Sequence, residues 1–301
     1  MSGVLITGGT GLVGTRLSDI LNKNGYEVKV LSTRQNVGEN FPTYHWSIKN
    51  NTIEEGAFEG VDHIIHLAGA GIVDKKWTKQ YKEILLKSRV ETCNLLHKHV
   101  VKNKSNIKSF ISASGIGYYG ARTIGGEFTE KDSLGSDFTA YICKKWEEAA
   151  LQFNNICKTI ILRTGVVLSD RGGALPKMKK PIDYFVGAPL GSGKQIIPWI
   201  HIDDLCKMYL HALQNNNVLG VYNAVAPKPV TNKFMTKKIA EITKKPCCLP
   251  NVPAFIIKMM LGKRAQLVLE GTPVSCEKIQ KTGFSFEFEE LDEALRDLLN
   301  Q

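Results

Sequence analysis

An α/β Rossmann fold, built on a doubly wound parallel sheet with a smaller C-terminal lobe, is the class that the sequence predicts. Three observations predict it. Short apolar strands alternate with helical stretches through the first 165 residues, a glycine-rich segment stands at the first strand-to-helix turn, and Pro/Gly-punctuated segments follow Gly165. Strands separated by helices imply parallel pairing and two covered sheet faces.

The elements follow in order. Val4-Leu5-Ile6-Thr7 reads as a buried strand, Val13, Leu17, Ile20 and Leu21 fall at helical spacing, Asn24-Gly25 ends that helix, and Val28-Lys29-Val30-Leu31 opens a second strand. Further strands are expected at 63–67, 107–112 and 159–163, with helices over 78–101 and 138–153 between them. Beyond Gly165, a helix is expected to start at Asp203 or Asp204, whose carboxylates can cap free N–H groups, and to run to about Gln214. A strand at 220–223 and a last helix over 289–299 complete the reading. The domain assignment is 1–165 for the first unit, with 195–225 returning to it, and 166–194 with 226–301 for the smaller lobe.

Composition narrows the class of function. The 301 residues are 43% hydrophobic and 23% charged, ordinary for a globular chain, which excludes a disordered or fibrous protein. The formal net charge of +10 divides evenly, +5 in residues 1–165 and +5 in 166–301. No basic arm exists, and aromatics are not interleaved with the lysine pairs as a single-strand nucleic-acid groove requires, so no nucleic-acid partner is expected. Seven cysteines without a CxxC read as reduced thiols. With no visible leader and no apolar run near the ~20 residues of a spanning helix, the expectation is a cytoplasmic protein without a membrane partner.

Directly after the first strand stands Gly8-Gly9-Thr10-Gly11-Leu12-Val13-Gly14. Glycines in such a turn allow a backbone to approach a pyrophosphate closely, while the helix N-terminus favours the anion. About 20 residues on, an acid would take a ribose hydroxyl and an arginine a 2′-phosphate. The sequence there is Leu31-Ser32-Thr33-Arg34-Gln35, with no acid between Leu31 and Gly38, so NADP is expected over NAD.

Tyr141 and Lys145 form a YxxxK pair on one face of a helix, where an ammonium can lower a phenol's pKa towards the range of a general acid/base. The spacing is common by chance, but the pair follows the strand near which Ser112 and Ser114 offer hydroxyls to a substrate oxygen; an ordinary helix face is the alternative. His201 beside Asp203 and Asp204 reads as a helix cap with a packed histidine, and no metal site is expected. Trp199 and Tyr184 fit a pocket wall or the core equally. Lys177, Lys179, Lys180 and Lys194 could attract a phosphorylated or nucleotide-linked ligand, or form a solvated surface.

These motifs together resemble the extended short-chain dehydrogenases/reductases of the NAD-dependent epimerase/dehydratase superfamily. The residues that carry the resemblance are Thr7 to Gly14, His66-Leu67-Ala68-Gly69, Ser112-Ala113-Ser114-Gly115 leading to Tyr118-Tyr119-Gly120, Tyr141 with Lys145, and Leu162-Arg163-Thr164-Gly165-Val166. Lys87 to Thr92, Pro189 to Gln195, Trp199 to Asp204 and Leu267 to Gly271 are similar to its atypical branch of sugar-nucleotide epimerase-like proteins. The resemblance implies cofactor contacts from Leu67, Ala68 and Gly69, from Thr33 and Arg34 at the 2′-phosphate, from Arg89 on the long helix and from Val166 at the nicotinamide. It further implies that Ser114 polarises the substrate oxygen, Tyr141 exchanges its proton and Lys145 holds the nicotinamide ribose. The expected function is an NADP-dependent oxidoreductase or epimerase that transfers hydride to or from a small-molecule carbinol or carbonyl, with a sugar nucleotide among the candidate substrates; a non-catalytic NADPH-binding sensor or regulatory protein is the alternative. A homodimer through the helices at 78–101 and 138–153 is expected by analogy.

Overall fold

The computed structural model describes residues 1–34, 40–123 and 126–299. It opens with β1 (Gly3–Thr7), α1 (Leu12–Lys23), β2 (Glu27–Ser32), β3 (Thr43–Ser47), β4 (Thr52–Ile53) and β5 (Val61–His66). The long α2 (Lys79–Lys102) leads to β6 (Ser109–Gly115), and α3 (Phe138–Leu151) to β7 (Lys158–Thr164) and β8 (Val166–Leu168). Then come α4 (Ala174–Asp183), β9 (Ile196–Ile197), β10 (Trp199–His201), α5 (Ile202–Gln214), β11 (Gly220–Ala224), β12 (Val230–Thr231) and α6 (Asn232–Ile242). The chain closes with α7 (Ala254–Leu261), α8 (Gln266–Leu269), α9 (Glu277–Gln280) and α10 (Leu291–Leu299).

Eight strands form one sheet in the order β11-β7-β6-β5-β1-β2-β3-β4. The pairings are parallel except at the β4 edge, which runs antiparallel to β3. From β1 the chain first winds outward through β2, β3 and β4, then returns to β5 on the other flank. The reversal falls between β1 and β5, the topological switch point at which open α/β sheets bind ligands beyond the carboxyl ends of their strands. The sequence pattern missed β3 and β4, since Thr43–Ser47 has neither a continuous apolar run nor a strict alternation. Two small sheets, β10 with β8 and β12 with β9, lie outside the main one.

Both faces of the sheet's central strands are buried, which is why strands such as β1 and β7 read as nearly continuous apolar runs. Side chains alternate between them. Val4 and Ile6 of β1, Ile111 of β6 and Ile160 and Leu162 of β7 enter the core that includes Leu17 and Leu21 of α1 and Leu205 and Met208 of α5. Leu5, Phe110 and Ile161 enter the opposite core with Leu96 of α2 and Ala150 of α3. A third cluster, outside the sheet, gathers Leu175 and Ile182 of α4, Met235 and Ile239 of α6 and Leu295 of α10 around Trp199.

The start of α5 differs from the sequence expectation. Its cap is His201, whose Nδ1 accepts the Asp203 N–H at 3.1 Å. The two carboxylates serve other elements: Asp203 takes both forks of Arg16 on α1 at 2.6 Å, and Asp204 accepts the N–H groups of Glu287 and Phe288. Among the described residues no helix is long and apolar enough to cross a membrane.

Candidate functional site

The glycine turn sits at the carboxyl end of β1, beside the switch point. Gly8 adopts a φ of +70°, in the left-handed region that side chains avoid. A Cβ on Gly14 would lie 2.3 Å from the Gly8 carbonyl oxygen and 2.6 Å from Gly9 Cα, so only a hydrogen fits where α1 crosses its own entry loop. Gly11 is the N-cap and offers no side chain to the first amides, and the first turn carries no acid. Those N–H groups remain for an external acceptor. Thr10 is exposed at the rim, while Leu12 and Val13 turn inward against the core.

Two neighbouring segments flank this turn. Thr33 and Arg34 follow β2 and are exposed; the Arg34 N–H donates to Ser32 Oγ at 3.0 Å, and no ion pair among the described residues takes its guanidinium. Residues 35–39, which belong to the stretch without an acid, lie outside the described residues. On the other side, Leu67 and Ala68 leave β5 with both N–H groups on Thr7, and their backbone lies against Gly8. A Cβ on Gly69 would come within 3.0 Å of Arg89 Cζ.

Arg89 is a buried cation without a carboxylate partner among the described residues. It donates to the Leu85 carbonyl at 2.9 Å and the Ala70 carbonyl at 3.0 Å, and stacks 4.9 Å from the Trp146 ring centroid. Burial lowers its pKa. A desolvated guanidinium held beneath Leu67–Ala70 contributes positive potential to the switch point. Val166 opens β8, half-buried, at the far side.

The strand end that carries Leu67 is pinned by His66. Trp146 Nε1 can only donate, so His66 Nδ1 must accept it at 3.2 Å, and Nε2 carries the proton towards Thr92 Oγ1 at 3.0 Å. The ring is therefore neutral, and burial pushes its pKa down to about 3. A folded value below the unfolded one of about 6.5 means that stability present above that pH is lost as pH falls towards 3, by up to about 1.4 kcal/mol per unit. Melting temperatures between pH 7 and 4.5 should fall more steeply for the wild type than for His66→Gln; parallel curves would contradict this.

The residues expected to catalyse are not brought together. Ser114 Oγ donates to Glu147 Oε1 at 2.7 Å, and Glu147 also takes Arg163 bidentately at 2.8 Å. Arg163 reaches the Tyr119 hydroxyl, which donates to Asn223 Oδ1 at 2.7 Å. Four elements are thus cross-tied at the carboxyl ends of β6 and β7. The row of α3 facing this strand end is Thr139, Cys143 and Glu147: Cβ atoms placed on Gly117 and Gly115 would meet Thr139 and Cys143 first. Burial raises the Cys143 thiol to about 11. Tyr141 and Lys145 lie two residues further round, roughly 200° away on the helix. Tyr141 is 47% exposed, and Lys145 Nζ binds Glu148 at 2.7 Å. The pair shares a helix face as the spacing required, but that face is the outer one.

Sequence reasoning missed Glu147. Its signal was Arg163 in an apolar strand, because a buried guanidinium needs acceptors and an acid on a packed helix is one source of them. Trp199 belongs to the core, with Nε1 on the Lys228 carbonyl, whereas Tyr184 is exposed. Of the lysines that could meet an anionic ligand, Lys177 and Lys179 lie on α4, where Lys179 pairs with Asp183 at 2.6 Å and Lys177 faces Asp74 at 4.0 Å.

Comparison with known proteins places this geometry among relatives. Residues 4–225 match the NAD dependent epimerase/dehydratase family, and residues 252–298 match a domain of unknown function, DUF1731. The chain is 34% identical over 305 residues to the Epimerase family protein SSP1921 of Staphylococcus saprophyticus, covering 100% of both. It superposes on the crystal structure of human epimerase family protein SDR39U1 (isoform 2) with NADPH at a TM-score of 0.90, with 32% identity and 99% of each chain covered. A UDP-glucose 4-epimerase from Thermotoga maritima, solved with UDP-glucose, shares the fold at a TM-score of 0.80 and 19% identity, over 99% of this chain and 97% of that one.

Proposed function

Because the chain belongs to the NAD dependent epimerase/dehydratase family, we propose that it binds NADP at the Gly8–Gly14 turn and exchanges hydride with a carbonyl or carbinol substrate at the carboxyl ends of β5 and β6. Residues 166–194 and 226–301 supply the substrate side. The observation that carries the reading is the turn itself, where a Cβ on Gly14 has no room and the amides at the start of α1 await an anion. Arg34 is assigned to the 2′-phosphate, since its guanidinium has no carboxylate partner among the described residues and stands at the end of β2. Arg34→Ala is expected to weaken NADPH binding about tenfold and to leave NADH within about twofold. Equal losses for both cofactors, or none, would remove that role.

Proton exchange is the step for which α3 matters. For Tyr141 to act, Lys145 must leave Glu148 and the tyrosine must come off the outer face of the helix. The geometry favours chemistry without it: Tyr141→Phe is expected to retain NADPH-dependent turnover of responsive aldehydes or ketones within about threefold. Lost turnover with intact NADPH affinity would restore Tyr141 and Lys145 as the acid/base pair. The commitment of Ser114 to Glu147 favours one other reading, a non-catalytic NADPH sensor. That reading predicts tight NADPH binding and no NADPH consumption with any carbonyl compound.

A further inference from the structure

The loop leaving β5 runs from the cofactor turn to a cavity that neither the glycine turn nor the α3 row uses. Beyond Gly69 it is fixed by three hydrogen bonds: Arg89 Nη2 to the Ala70 carbonyl, the Tyr81 hydroxyl to the Gly71 carbonyl at 2.7 Å, and Trp77 Nε1 to the Ile72 carbonyl at 2.8 Å. Its last residues, Lys76 and Trp77, form one wall of a cavity of about 260 Å³. The other wall is the end of α7 and the turn after it, with Met259, Met260, Leu261 and Lys263. Arg264 clasps the two walls by donating to the Val73 carbonyl at 2.7 Å. Trp77 packs edge-on against Phe138, the first residue of α3, at 5.3 Å between ring centroids. The cavity is therefore joined to the strand-end site by a fixed loop on one side and by the start of α3 on the other.

Its lining is chemically specific. Met259 and Met260 are 78% and 67% exposed, a large apolar area to leave in water. Thioethers and an indole adapt to flat or irregular apolar bodies. Lys76 and Lys263 have no carboxylate partner among the described residues. Such a lining suits a ligand that is apolar in its body and anionic at one end. Lys177 and Lys179 of α4 face Asp74 and Asp183.

We propose that this cavity holds the body of the substrate, and that the substrate is a small anionic amphiphile, with a compact aromatic or aliphatic body against Trp77, Met259 and Met260 and an anionic group at Lys76 and Lys263. The assignment rests on the proposed cofactor site only in that the loop from Gly69 to Trp77 leads from that site to the cavity.

Calorimetric titration of the full chain with 2-naphthoate, 2-naphthyl phosphate and neutral 2-naphthamide tests it, with NADPH titrated separately on every variant. The anionic naphthyl compounds are expected to bind saturably and at least about tenfold tighter than the amide. The stronger of the two identifies the anionic group. Met259→Ser with Met260→Ser should weaken all three naphthyl compounds, and Lys76→Ala with Lys263→Ala should abolish the preference for the anions. Equal binding of the amide, no saturable binding, or affinities untouched by these variants would overturn the proposal. So would a change of oligomeric state in the methionine variant with naphthoate affinity intact, which would make this face a contact with a second copy. Absence of NADPH binding by the wild type would instead count against the cofactor reading alone.

Discussion

Gly14→Ala is expected to weaken NADPH binding at least about a hundredfold, or about 2.7 kcal/mol, while the protein stays folded. The added methyl would lie 2.3 Å from the Gly8 carbonyl oxygen and 2.6 Å from Gly9 Cα, and both neighbours are backbone. Relief has to come from a shift of α1 away from its entry loop, which moves the amides meant for the pyrophosphate. Helix α1 is also held at the other end of its first turns by Arg16 on Asp203, so the shift is taken up locally in the loop. Gly11→Ala provides the graded comparison. Its Cβ meets only the Gly8 oxygen, at 3.2 Å, a contact that a few tenths of an ångström relieves, and its loss should be about tenfold or less. NADPH fluorescence titration, with thermal melts to verify folding, separates the two. Equal affinities in Gly14→Ala and wild type would remove the turn from the cofactor site.

The second large effect concerns stability. Glu147→Ala should cost about 3–5 kcal/mol, because it strips a buried guanidinium of the carboxylate that pairs it among the described residues. Both partners are nearly inaccessible, with side chains 4% and 7% exposed for Arg163 and Glu147. The pair is further tied to Ser114, Tyr119 and Asn223, and Arg163 lies 3.3 Å from the Tyr118 ring centroid. A double variant, Glu147→Met with Arg163→Leu, should lose less than the single one, since it leaves no charge without a partner. Urea unfolding measures both. A single-variant loss below about 1 kcal/mol, or a double variant worse than the single, would contradict this account of the network.

The parts of the molecule legible in the sequence share a physical cause. Strands such as Val4–Thr7 and Thr159–Arg163 are buried on both faces, so their composition alone marks them. The turn at Gly8–Gly14 was legible because close backbone approach restricts residue type. The less legible elements are those whose stability comes from partners distant in sequence. Thr43–Ser47 becomes a strand by pairing with β2 and β4, and Ile196–Ile197 by pairing with Val230–Thr231. At the start of α5, His201 caps because Asp203 and Asp204 are claimed by Arg16 and by the backbone at 287–288, partners that local spacing cannot reveal.

The same distinction separates the two halves of the candidate site. The proposed cofactor contacts come from short local motifs, and Gly8, Leu67 and Ala68 meet at one turn. Catalytic spacing is weaker information: YxxxK places Tyr141 and Lys145 on one face of α3 without saying which way that face points. The answer lay in the 3.6-residue period of burial along the helix, where Ala140, Ile142, Cys143, Trp146 and Ala150 define the inner side. On that helix the outward phase of Tyr141 follows from its neighbours.

The central claim is that NADPH lies across the switch point between β1 and β5, and a crystal structure of the protein soaked with NADPH tests it most directly. The account predicts the pyrophosphate against the amides at the start of α1, the 2′-phosphate at Arg34 and the nicotinamide near Ser114 and Gly117. A cofactor bound elsewhere, or a turn left empty at saturating NADPH, would contradict it.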